Sequence, residues 1–75
     1  MYHVHRLAKY VKETSKLDGH YITIIRTFEQ KLKNDPYLGK PLSYEYLREK
    51  KFDDKRLIYL IYPDLQKVLF VAVHR

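Results

Sequence analysis

A chain of 75 residues has room for one domain with one small core, and its 45% apolar and 32% charged residues suit a folded globular protein rather than a disordered tail. It has no cysteine, which excludes a disulfide framework, a thiolate zinc site and a cysteine nucleophile; no apolar run exceeds six residues, far short of the ~20 that a membrane-crossing helix needs. The net charge of +6 points toward polyanions, but the excess is spread out, with seven basic against three acidic residues in 1–34 and eight against six in 35–75.

Tyr2, Val4 and Leu7 alternate with polar residues, which predicts a short first strand. From Leu7 the spacing changes to three and four through Tyr10 or Val11, Thr14 and Leu17, which predicts a basic amphipathic helix of about ten residues. Asp18-Gly19 should punctuate, with Gly19 as a left-handed cap and Asp18 starting a second helix. That helix has Tyr21 or Ile22, Ile25, Phe28 and Leu32 on its apolar side and Arg26, Glu29, Gln30 and Lys33 on its polar side. Asn34-Asp-Pro36 stops it, because the residue before proline avoids helical angles. The link between the helices is short, so an antiparallel helical hairpin is expected. Residues 36–42 read as a turn-rich connector, with Gly39 free to take positive φ. Three strands should follow: a polar one between Tyr44 and Phe52, then Arg56–Tyr62 after a turn at Asp53-Asp54, then Val68–Val73 after Pro63-Asp64. The last two are apolar on both faces, and helices can cover only one. The fold class is α+β in the order β-α-α-β-β-β, a twisted antiparallel sheet with an N-terminal helical hairpin on one face, in a single domain over 1–75.

Several stretches resemble the RelE/ParE toxin superfamily of type II toxin–antitoxin systems. Asn34-Asp-Pro-Tyr-Leu-Gly-Lys-Pro-Leu42 looks like the connector that follows the helical hairpin in that superfamily. Asp54-Lys-Arg-Leu-Ile-Tyr59 is similar to its "gyRLIY" strand, and Val68-Leu-Phe-Val-Ala-Val-His-Arg75 to its closing strand. Leu47-Arg-Glu-Lys-Lys-Phe52 resembles a version associated with archaeal members. The three main motifs fall in the right order and spacing, and the order of elements before residue 34 fits as well. The resemblance implies a ribosome-dependent mRNA endoribonuclease that inhibits translation in the cytoplasm and is held inactive by an antitoxin. It implies no cofactor and no metal. The alternatives it leaves are a ParE-like toxin that acts by binding a protein target, and a degenerate member that binds only its antitoxin.

Cleaving RNA through its own 2′-hydroxyl needs a base for the hydroxyl proton, cations for the crowded phosphorane and an acid for the leaving oxygen. The resemblance implies that Arg56 and Arg75, each matching a family arginine, meet on one face and hold phosphate oxygens. Arg48 and Lys50 approximate the family's basic pair, and two apart on a strand they point the same way. A lysine crowded by other cations releases its proton more readily, so Lys50 is the expected base. Lys51 or Lys55 takes the second role if the register slips by one, and Lys51, Lys55, Tyr46 and His74 are the expected RNA contacts. The family's C-terminal tyrosine has no counterpart before the chain stops at Arg75, so His74 is the candidate substitute acid. Each of these has an ordinary reading beside it: lysines on an edge strand keep the edge soluble, and a terminal histidine needs no role. Tyr44, Tyr46, Tyr59 and Tyr62 could stack on bases or serve as core and partner contacts. His3 and His5 form a pair with metal-ligand spacing but lack further ligands, so no metal is expected.

Overall fold

The computed structural model describes residues 1–75. Its elements are β1 (His3–Arg6), α1 (Ala8–Ser15), α2 (Gly19–Leu32), β2 (Lys40–Pro41), β3 (Leu47–Phe52), β4 (Lys55–Tyr62) and β5 (Lys67–His74). Short 3-10 turns occupy Pro36–Leu38 and Pro63–Leu65. The five strands make one sheet in the order β1-β5-β4-β3-β2. β2 through β5 are an antiparallel meander, but β1 runs parallel to β5, with Val4 opposite Val68 and Arg6 opposite Phe70. The sheet is therefore mixed, where an antiparallel one was expected. Alternation of side chains along a strand carries no sign of its direction, and the intervening helices supply the crossover that a parallel pair requires. The two-residue β2 lies in the connector and was not foreseen.

Both helices pack on one face of the sheet. Ile25, Phe28 and Leu32 from α2 and Tyr10 from α1 meet Leu57, Tyr59, Ile61, Val68 and Phe70 in a single core. Its centre is aromatic: Tyr10 and Tyr59 lie on either side of Phe70 with ring centroids 5.0 and 5.2 Å away, and Phe28 meets Tyr59 edge-on at 6.0 Å. The β-branched run Ile22–Ile25 stays helical because burying Ile25 outweighs a few tenths of a kcal/mol of propensity per residue.

Glu29 departs from the expected pattern. It was placed on the polar side of α2 but is fully buried. Its carboxylate accepts from Arg6 at 2.6 Å, from Arg26 at 2.9 Å and from the Tyr10 hydroxyl at 2.8 Å, so β1, α1 and α2 are tied through one charge. Four charge-assisted bonds from these three side chains, two of them from Arg6, offset the desolvation that normally keeps glutamate outside.

The glycines also act differently from expectation. Neither takes positive φ; the left-handed residues are Asp53 in the β3–β4 turn and Gln66 ahead of β5. Gly19 opens α2, and α1 ends at Lys16 with ordinary helical angles. Gly39 is required by crowding: a Cβ there would sit 2.5 Å from the Tyr59 hydroxyl and 2.8 Å from the Glu49 carbonyl. The space it leaves lets its N–H donate to the Tyr59 hydroxyl, which in turn donates to the Pro36 carbonyl and clamps the connector to β4.

Candidate nucleic-acid interface

Strand alternation sorts the cations of the last three strands onto two faces. Along β4, Lys55, Leu57, Tyr59 and Ile61 are buried, while Arg56, Ile58, Leu60 and Tyr62 point to the face that no helix covers. Cross-strand partners share a face. Lys51 is paired with Arg56 and Arg56 with His74, so the open face carries a row of Lys51, Arg56 and His74 from three adjacent strands. The Arg56 guanidinium is half exposed, with one acidic neighbour, Glu49, at 3.9 Å.

The other expected site residues lie elsewhere. Arg48 is buried against the connector, its guanidinium donating to the carbonyls of Glu45 (2.6 Å), Gly39 (2.8 Å) and Tyr37 (3.2 Å) and stacking over the Tyr37 ring at 5.0 Å. Its donors serve the backbone, so it is a structural residue. Lys50 is paired with Leu57 on the helix side, with its ammonium 5.6 Å from the Phe28 ring and Lys31 sharing the same groove. The ring of cations expected around Lys50 is not there. Lys55 packs over the Tyr21 ring at 4.1 Å and binds Asp54 at 2.9 Å, also on the helix side. That hydrogen bond raises the Lys55 pKa and lowers that of Asp54, which keeps the ammonium charged.

Arg75 is the main departure. It lies with Lys16, Leu17 and Lys55 below the helical layer, not beside Arg56. The cause is a β-bulge. Tyr59 pairs with Phe70 but Ile58 with Ala72, so Val71 is an extra residue in β5. One extra residue reverses every later side chain. His74 therefore lies on the open face, where regular alternation would put Val73 opposite Arg56 and Arg75 two residues beyond it.

Farther along the open face, Leu60 pairs with Leu69 and Tyr62 with Lys67, and His5 and His3 of β1 complete these two rows. Tyr44 and Tyr46, from the loop before β3, wall a groove of about 480 Å³ with Leu60, Tyr62, Pro63 and Leu65. A second hollow of about 300 Å³ shares Tyr62 and Leu65 with it and continues to His5, Lys67 and Leu69. Of the groove residues, Tyr46 is an expected RNA contact, and Tyr44 and Tyr62 are among the tyrosines read as able to stack on bases. The even spacing 56, 58, 60, 62 in β4 would have identified Leu60 and Tyr62 as neighbours of Arg56 on one face, but nothing in the sequence brings Tyr44 and Leu65 beside them.

Two helices cover one face of the sheet, and the other face is bare and carries a cationic row. Solved structures share this fold. The chain superposes on the E. coli RelBE toxin–antitoxin complex with a TM-score of 0.88, covering 100% of this chain and 96% of that one at 16% identity. It matches the isolated E. coli RelE toxin at 0.87 over 100% and 84% of the two chains, again at 16% identity. The RelBE2 toxin–antitoxin complex of Mycobacterium tuberculosis matches at 0.83 over 99% and 98%, with 25% identity. These likenesses place the fold in the RelE superfamily. No protein-family model matches the chain, and no curated protein matches it in sequence. No helix is long and apolar enough to cross a membrane.

Proposed function

We propose that this chain is the toxin of a type II toxin–antitoxin pair, an endoribonuclease that cuts message on the ribosome and is neutralised by a small antitoxin protein. The observation that carries this reading is the row of Lys51, Arg56 and His74 on the uncovered sheet face. Arg56 and Lys51 bind the non-bridging oxygens of the scissile phosphate and offset the charge that builds on the phosphorane. The 2′-oxygen attacks phosphorus, the bond to the 5′-oxygen breaks, and a 2′,3′-cyclic phosphate and a 5′-hydroxyl result. The 2′-hydroxyl proton passes to solvent water, and a proton is delivered to the 5′-oxygen. His74, paired with Arg56 on this face, is the proton donor to the leaving oxygen. The superposition on RelE chains crystallised with RelB supports an antitoxin as the partner.

Lys50 and Arg75 stand apart from this row, which favours a second reading, a non-catalytic toxin that occludes a protein target. One experiment separates the two. The protein is induced and the 5′ ends of cellular message are mapped, with Arg56→Ala and His74→Ala alongside. Breaks within codons that vanish in Arg56→Ala and fall at least tenfold in His74→Ala support the nuclease. Intact message in cells whose growth has stopped overturns it.

A further inference from the structure

The tyrosine-walled groove lies on the same open face as the cationic row but about 20 Å from it, since Tyr62 is six residues beyond Arg56 along β4. Tyr62 is 41% exposed, Tyr44 52% and Leu65 62%, a concentration of large apolar surface that the fold itself does not need. We propose that this groove is a nucleobase subsite, in which Tyr62 and Tyr44 stack on a base of single-stranded RNA whose backbone continues toward Lys51 and Arg56. The inference rests on the nuclease reading and adds a second point at which the same strand is held.

Charge at the two ends favours RNA over an apolar peptide as the occupant. Lys51 and Arg56 lie at one end of the track and Lys67 at the other, opposite Tyr62, with His3 beside it. A polyanion needs cations spaced along its backbone and flat apolar surfaces between them for its bases. The acids on the track are Glu49, which is held near Arg56, and Asp64 at the groove's rim. A base in the groove is separated from the scissile linkage by more than one nucleotide, so it is not one of the two bases that flank the cut.

The test uses the whole chain and a short mixed-sequence 2′-O-methyl oligoribonucleotide, which has no free 2′-hydroxyl and cannot be cut. Amide chemical shifts and affinities are measured for the parent, Tyr62→Phe, Tyr62→Leu and Tyr44→Leu; these side chains are exposed, so the variants fold. Stacking predicts that Tyr62→Phe binds like the parent, that Tyr62→Leu and Tyr44→Leu bind on the order of tenfold more weakly, and that shifts spread from Arg56 to Leu65. If the leucine variants bind as tightly as the parent, or the groove amides do not move, the subsite is overturned. Because the probe is uncleavable, that failure is distinct from failure of the nuclease reading, which shows as intact message in the mapping experiment.

Discussion

Arg48 illustrates how far a residue's type can suggest a role that its surroundings then reassign. In the sequence it is one of five cations within nine positions, and nothing local separates it from Lys50 or Lys51. Its guanidinium is consumed by three backbone carbonyls, two of which belong to the connector clamped by Gly39 and Tyr59. Those carbonyls lie about ten residues upstream, and the distance was invisible to motif reading. Arg48→Met keeps the apolar stem and removes every donor. Stability should fall by about 2–4 kcal/mol, since bonds from charged groups contribute about 1.5–3 kcal/mol each and the carbonyls regain only part of their hydration. Urea midpoints check this. Message cleavage per folded molecule, assayed well below the unfolding temperature, should stay at the parental level; a tenfold loss there would return Arg48 to the catalytic machinery.

Between elements, legibility depends on whether the information is periodic. Both helices and the β4 and β5 strands could be read in advance because alternation and three-to-four spacing run through every residue of them. A single inserted residue is not periodic: Val71 looks like any other β-branched strand residue, yet it decides whether His74 or Arg75 lies on the open face with Arg56. The clamp between the connector and β4 is equally local and makes its own prediction. Burial raises the Tyr59 hydroxyl to about 12 from its ordinary 10.0, and the buried Tyr10 hydroxyl, desolvated and held against Glu29, is raised further. A phenol whose folded value lies above its unfolded one is neutral in the fold, so its stabilisation is whole below pH 10 and is lost as pH rises through about 12. Raising Tyr59 from 10.0 to about 12 corresponds to roughly 2–3 kcal/mol. Unfolding free energies from urea titrations should be level between pH 7 and 9 and decline from about pH 10 upward. An unchanged value at pH 11 would mean that Tyr59 and Tyr10 ionise without penalty.

For the molecule as a whole, the excess of positive charge acts through where it is exposed. Net charge alone does not choose between a solvated mixed-charge surface and a polyanion site. The sheet chooses in part, because Lys51, Arg56 and Lys67 share the bare face with no helix over them, while Lys9 and Lys12 sit on α1, in the layer that covers the opposite face. If single-stranded RNA runs along the bare face, those three cations displace counterions from about three phosphates. The logarithm of affinity should then fall with the logarithm of salt concentration at a slope near −2, from about −0.7 per phosphate for single strands. Lys51→Gln should bring that slope toward zero by about 0.7, with weaker binding at every salt concentration. Lys12→Gln removes the same charge from the helical layer and, at salt where the Debye length is about 10 Å or less, should leave the slope unchanged. Equal changes from both variants would show that the polyanion reads the total charge of the protein and has no preferred face.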